Sequence, residues 1–545
     1  MRTSRRRGLA AVMAVASVSV IGASHSSVAQ AASSSVTTYA AADQGVASPV
    51  HQAATHNSVP AGTATTRARG ARFIHSSGAA AASALRAPGA AGTSGKSTST
   101  VHANFNGVSS LDSQLTNFNA TFEPPDQGLC EGNGFVVEPV NSAYRVYRTS
   151  GTPVEGPFNV NDLFNEGAQE FTSDPRCQYD TATNTWFAEI LFIALDNSSS
   201  HLDIAVNTSG DPTNLWTEYQ IDTTHSGGNG CPCFGDQPRI GIDQYNVYLS
   251  TDEFSILGPQ FNGGQLYALS KSDLIAATPL HFAHFGHLTL GGESPFAIEP
   301  ALSSGIAPAE YFLNSFDPNG TFDNRIGVWA MTDRAGVASG HAPKLSATVI
   351  GSEVYGLPVG AAQKGATSLL DGGDDRMQQT QYIAGNVWGE LTSAVTIAGD
   401  SVERDGAAWF EVHPTLSGTS IGAVTVANQG YVAKARNYVI YPALQADASG
   451  RAAMVFTLTS ASRFPSASYA VLNSGHSQFG PVTTAAPGTG PYDPTATRWG
   501  DYSWAVLDPL TGIFWMATEY VPAKSSQTTT GARNWGTRVL AVSVG

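Results

Sequence analysis

Charged side chains are scarce in this sequence. Asp, Glu, Lys and Arg make up 13% of 545 residues, and only 6 of the 28 basic residues are lysine. That excludes a coiled coil or a helical bundle, whose outer faces are rich in Glu and Lys. Long apolar runs are also lacking. Beyond the N-terminal leader no stretch approaches the ~18 uninterrupted apolar residues of a membrane span, so no transmembrane anchor is expected. Positive charge is short in the body: residues 101–545 hold 19 basic against 42 acidic residues, a sum of −23, while residues 1–100 sum to +8. An acidic body excludes a nucleic-acid partner, because phosphate backbones are bound through cationic contacts. It suits a soluble extracellular protein, expected as a monomer, that can hold a cation such as calcium. Cysteine is confined to Cys130, Cys177, Cys231 and Cys233. With no His or Cys pair at zinc spacing beside Cys231-Pro-Cys233, a metal site is disfavoured there.

What the chain has in quantity is 56 glycines and 29 prolines, the composition of a loop-rich β protein with many turns. Arg2, Arg5, Arg6 and Arg7 precede an apolar run from Leu9 to about Ala23, and Ala29 and Ala31 fit the small-residue cleavage positions. Residues 1–31 therefore read as a signal peptide. Ser4-Arg-Arg-Arg-Gly-Leu9 also resembles a twin-arginine export signal. Residues 32–100 are mostly Ala, Ser, Thr and Gly and are expected to be disordered, with order beginning near Val101. Export permits disulfides, and four cysteines allow 3 connectivities. Cys130 and Cys177 lie in neighbouring repeats at a span a disulfide can bridge, leaving Cys231 and Cys233 to close a tight Cys-Pro-Cys bridge or to pair elsewhere.

The body repeats. A short apolar, aromatic strand recurs as GFVVEPV at 134, TWFAEILFIA at 185, NVYLSTDEF at 246, YFLNSFD at 311, NVWGELTSA at 386, AAMVFTLTS at 452 and IFWMATEYV at 513. A second strand follows each, from YRVYRTSG at 144 to TRVLAVSVG at 537, with starts 58, 63, 60, 82, 60 and 70 residues apart. A third element precedes the first: DPRCQYD at 174, DQPRIGID at 236, AIEPALSS at 297, DDRMQQTQYIA at 374, YVIYPALQAD at 438 and RWGDYSWAVLD at 498. This pattern predicts an all-β fold, a seven-bladed β-propeller over 101–545. Two β-sandwiches are the alternative, but they need not repeat three strands in order. The last repeat runs into the C-terminus without an outermost strand. A segment within 101–122 is expected to supply it and close the ring.

Several motifs have plain structural readings. Gly418-Thr-Ser420-Ile-Gly422 matches a nucleophile elbow, but a strand follows it where that chemistry needs a helix, so it reads as a turn. His281, His284 and His287 lie three apart, which on a strand sends neighbours to opposite faces. Asp317–Asp323 and Asp371–Asp375 are oxygen-rich loops of a kind that can hold calcium. Asp180, Asp243, Asp447 and Asp508 occupy one turn position repeatedly, as acceptors of backbone N–H groups.

The segments entering the innermost strands carry more chemistry. In a propeller they rim one mouth of the central channel. Here they bring Asp174, Asp236, Glu299 and Asp501 as candidate catalytic carboxylates and Arg176, Arg239, Arg376 and Arg498 as substrate-binding groups, with Asp126, Glu131 and Asp375 in the same segments. Arginine beside a carboxylate keeps it ionised, as a base or nucleophile requires. Glu299, followed by Pro300 and flanked by apolar residues, is the candidate general acid.

The pattern D-P-R…Y-D…W-F from Asp174, together with the closing RWGDYS…LDP…FW…EY, resembles the sialidase-like (BNR-type) propellers of secreted bacterial proteins over about residues 120–545. The intact Asp-box of such repeats is absent, Asp447-Ala-Ser-Gly450 being a fragment of it, and so is their Arg-Ile-Pro motif; no sialidase site residue carries over. The expected function is that of a secreted glycoside hydrolase-like propeller acting on extracellular glycans. The alternatives are a non-catalytic propeller binding a glycan or a cell-surface protein, and a calcium-dependent propeller hydrolase.

Overall fold

In the computed structural model the described residues are 35–51, 87–90, 97–118, 120, 122–226, 228–316, 322–492, 498–522 and 534–545. The leader expected at 1–31 and most of 32–100 lie outside them. No helix of the described residues is long and apolar enough to cross a membrane.

Turn aspartates punctuate the chain. Asp180, Asp243, Asp447 and Asp508 each follow an innermost strand, and each accepts the N–H of the residue two further on, at 2.7–3.1 Å. Between such turns the strands form antiparallel meanders of four. The first runs from Cys130–Gly132 to Pro153–Asn159, the second from Phe171–Asp180 to Thr217–Asp222, and the third from Cys233–Ile242 to Leu280–Phe285. The fourth runs from Glu299–Ser303 to Lys344–Gly356, the fifth from Gln379–Ile383 to Ser420–Val432, and the sixth from Tyr438–Ala446 to Thr483–Ala486. The seventh holds Trp504–Asp508, Ile513–Tyr520 and Gly536–Val544. Each innermost strand touches the innermost strand of the next meander, and the seventh touches the first. The third, fourth and fifth are joined into one sheet by short parallel pairings at Ile242↔Leu302 and Ala301↔Thr380.

The fourth strand of the seventh meander is Ser99–Ser109, antiparallel to Gly536–Val544 with Phe105 opposite Val539. This is the strand anticipated from within 101–122, beginning two residues earlier. One carboxyl ties the seam to the first meander. Buried Glu138 accepts the Val108 N–H at 2.9 Å and the Tyr147 hydroxyl at 3.3 Å through Oε2, and the Thr537 hydroxyl through Oε1. Gly107 sits against the same group: a Cβ there would lie 2.2 Å from Thr537 Oγ1 and 2.3 Å from Glu138 Oε2.

Aromatic side chains fill the seams between meanders. Trp186, Trp329, Trp409, Trp499, Trp504 and Trp535 are fully buried, each contributing about 4–6 kcal/mol by apolar area. Two disulfides form, and of the three pairings open to the sequence they are Cys130–Cys177, Cα–Cα 5.5 Å, and Cys231–Cys233, Cα–Cα 4.4 Å. The first joins the innermost strands of the first and second meanders.

Within residues 32–100, the described parts include four short strands besides the start of Ser99–Ser109. Thr37–Tyr39, Asp43–Ala47 and Val50–His51 add a strand to the outer edges of the fourth, third and second meanders in turn, and Gly89–Ala90 pairs with Asn386–Ile397 of the fifth. An outer strand offers a row of unpaired backbone groups that will take a further strand of almost any sequence. Tyr39 anchors the segment, its ring 5.2 Å from Trp329 and its hydroxyl donating to the Thr289 carbonyl at 2.6 Å.

Candidate functional site at the mouth of the innermost strands

A backbone device recurs where the chain enters the innermost strands. Asp126, Asp174, Gln237, Ala297, Tyr441 and Gly500 all have positive φ, from 44° to 61°. Pro175, Pro238 and Pro442 follow three of them, and at these three places the ladder slips by a bulge. Proline has no N–H to give the ladder, so pairing resumes one residue later. Left-handed backbone at a non-glycine residue costs about 1–3 kcal/mol, and here it turns the side chains of the bulge toward the mouth. The residue after the bulge rejoins the strand: Arg176 opposite Glu189, Arg239 opposite Ser250, Ala443 opposite Val455, while Glu299 pairs with Leu313 without a bulge.

The eight predicted residues are thereby sorted into two layers. Half-buried Asp236, Asp501, Arg376 and Arg498 gather at the mouth together with buried Asp174. Arg498 holds Asp501 Oδ2 at 2.7 Å, and Gln237 donates to the same oxygen at 3.3 Å. Arg376 donates to Gln237 Oε1 and, through Nε, to Asp374 at 2.6 Å. Gln237 therefore links two guanidinium–carboxylate pairs from different meanders. Behind them Asn141 donates to buried Asp126 at 2.7 Å and accepts the Asp174 N–H at 2.7 Å. Asp126 and Asp174 lie close enough to influence each other. Burial, then the neighbouring carboxylates, raises both above the ordinary range, Asp126 far above it. Asp236 is half-buried; burial first, then the charge of Asp174, pushes it up to about 7 against the pull of Arg376.

Arg176, Arg239 and Glu299 form the layer beneath. Arg239 bonds Asp252 at 2.8 Å, Glu299 at 3.1 Å and Gln237 at 3.3 Å. The Arg176 guanidinium lies 3.5 Å over the Tyr502 ring and 4.5 Å over Trp504. Burial raises Glu299 to about 7 although Arg176 and Arg239 oppose it, so its direction fits the acid expected from sequence. Its position is deeper than that of the mouth residues. Glu299 and Arg239 side chains are 1% exposed, whereas Asp501, Arg376 and Arg498 are 17%, 20% and 22% exposed.

Sequence reasoning missed Gln237, Asn141, Asp252 and Glu189. Glu189 is buried opposite Arg176 with neither carboxyl oxygen hydrogen-bonded, and burial drives it well above its usual range. Its signal was a single acid inside the apolar strand TWFAEILFIA. In the oxygen-rich loop Asp371–Asp375, Asp374 pairs with Arg376 and Asp371 accepts the Gly373 N–H. In the other loop residues 317–321 are outside the described set, and Asp323 pairs with Arg325 at 2.6 Å. His281 and His284 do not converge: His281 bonds Asp273 at 2.9 Å and His284 bonds Gln265 at 2.8 Å. Gly418 and Thr419 form the hairpin turn between Arg404–Ser417 and Ser420–Val432.

No protein-family model and no curated protein matches the chain. Among solved structures it is similar to the Hadza microbial sialidase Hz136, at 10% identity and a TM-score of 0.36 over 77% of this chain and 74% of that one. It is also similar to the parainfluenza virus 5 hemagglutinin-neuraminidase ectodomain, at 9% identity and 0.33 over 68% and 82%. Native Bacillus subtilis arabinanase Arb43A is another, at 15% identity and 0.28 over 55% and 96%. These are likenesses of fold at most, and no residue role is carried across from them.

Proposed function

We propose that the chain is a secreted seven-bladed β-propeller, its meanders the blades and Ser99–Ser109 the closing strand, which hydrolyses glycosidic bonds of an extracellular glycan at the mouth described above. The observation that carries this reading is the contrast between two half-exposed carboxyls. Asp236 is held near pH 7 and so still has a proton to give, while Asp501 is clamped by Arg498. Two carboxyls in unlike environments are the equipment for glycoside hydrolysis. Asp236 gives its proton to the departing glycosidic oxygen as the C1–O bond breaks. Asp501 supplies the electron pair that replaces it, directly or by taking a proton from the attacking water. Arg376 and Arg498 orient the sugar through its oxygens. Glu299 gives up the role of acid and, with Arg239, holds Gln237 in place. The Arg-rich leader and the two disulfides support export.

The test is a panel of chromogenic glycosides and polysaccharides against wild type, Asp236→Asn and Asp501→Asn. Each substitution should lower kcat about 10²–10⁴-fold. Hydrolysis that survives both would overturn the assignment. A wild type that retains a glycan yet cleaves nothing would make the mouth a binding site instead.

A further inference from the structure

A second group of side chains lies away from the channel, two strands further out. His201 and Asp203 alternate on one face of Ser200–Asn207, the third strand of the second meander. Glu166 reaches them from the connection leaving the first meander, just after the short helix Val160–Phe164 and the left-handed Asn165. His201 Nε2 is 3.2 Å from Glu166 Oε1 and 3.1 Å from Asp203 Oδ1. All three ligand atoms fall within 4.8 Å of one another.

We propose that these three side chains bind a divalent transition-metal ion of zinc type, with solvent as the fourth ligand. Ligands at 2.0–2.1 Å around a tetrahedral ion stand about 3.3–3.4 Å apart, close to the two separations found. The donor set is one imidazole nitrogen and two carboxylates, which zinc accepts and calcium does not favour. Asp203 is fully buried, and neither of its carboxyl oxygens makes a hydrogen bond among the described residues, Oδ1 standing 3.1 Å from His201 Nε2. Two carboxylates face one imidazole here, so a negative charge is left over even when the ring is protonated, and a bound cation neutralises it.

The surroundings hold the ligands in place. Phe192, cross-strand partner of His201, stacks on the imidazole at 4.1 Å between ring centroids and fixes its plane. Gln220, cross-strand partner of Asp203, donates to Glu166 Oε1 at 3.0 Å. Such outer partners orient metal ligands. Glu166 and His201 side chains are 12% and 17% exposed, so the ion has an entry path and an open position. Bound there, it would pin the connection between the first two meanders to the second.

The experiment uses the full chain, stripped with a chelator and dialysed at pH 8. Cobalt(II) is titrated first, because a tetrahedral N/O site gives visible absorption that a six-coordinate ion does not. Zinc is then added by calorimetry. One equivalent of cobalt giving a tetrahedral spectrum, displaced by one equivalent of zinc and lost in His201→Ala and Glu166→Gln, is the expected result. Zinc at a hundredfold excess over Kd should also raise Tm by about 3 °C. Wild type without stoichiometric binding, or variants that bind as well as wild type, would overturn the site. So would calcium binding in place of zinc. Glu166→Gln, at a partly exposed position, keeps the test valid if His201→Ala fails to fold.

Discussion

Replacing Glu138 with Gln should make the protein more stable relative to wild type at pH 8 than at pH 5. Glu138 is the carboxyl between the first meander and the closing seam. Burial, the largest cause, raises it from 4.5 to about 7 even though Thr537, Val108 and Tyr147 all bond to it. Below pH 4.5 the group is neutral folded and unfolded, and the wild type keeps its full stability. Between 4.5 and 7 the unfolded chain releases the proton and the folded one retains it, so stability falls as pH rises and levels off above 7. The gap corresponds to about 3 kcal/mol. Gln cannot titrate, and it still offers an oxygen to the Val108 N–H. Every other group titrates alike in both proteins and cancels in the difference. For a body of this size, 3 kcal/mol is about 3 °C in Tm. The assay is thermal unfolding of both proteins at pH 5 and 8. A Tm difference that does not move with pH, or moves in favour of the wild type, would refute the buried-acid account of the seam.

Gly107→Ala should open the same seam and lower Tm by several degrees, since its Cβ would meet Thr537 and Glu138 at 2.2 and 2.3 Å; differential scanning calorimetry reads this. A chain starting at residue 97 should fold with a modest loss, whereas one starting at 111 loses Ser99–Ser109 and should bind a hydrophobic dye and aggregate. Cys130→Ala with Cys177→Ala opens a loop of 47 residues and should cost about 4 kcal/mol in denaturant melts. Hydrolysis, once a substrate is found, should fall as pH rises through about 7, because Asp236 then has no proton to give; Asp236→Asn should abolish that limb of the profile.

The innermost strands of the second and third meanders were legible because proline, arginine and a turn aspartate mark both in order, as in Asp174-Pro175-Arg176…Asp180 and Gln237-Pro238-Arg239…Asp243. The second and third strands announced themselves by apolar, aromatic runs buried on both faces. Outermost strands did not. Thr483–Ala486 and Pro153–Asn159 are short, half-exposed and polar, and they owe their existence to the edge beside them. The same holds for Thr37–Tyr39 and Asp43–Ala47. At the site, the entering segments could be located because the repeat fixes their place. The division into an exposed and a buried layer could not, because it depends on a slip of one residue at Pro175 and Pro238. Asp252 and Glu189 are likewise readable only once the neighbouring strand supplies Arg239 and Arg176.

The way the ring closes also sets an order in time. His102 and Ser543 touch across the seam at 2.9 Å, yet they are 441 residues apart in the chain. At about 5–20 residues per second, synthesis takes roughly 20–90 s to deliver the partner of a strand that emerged early. For that interval one edge is open and able to pair with a neighbouring molecule. A nascent chain halted anywhere short of Gly536 never receives its partner strand and stays marked, by that bare edge, as unfinished.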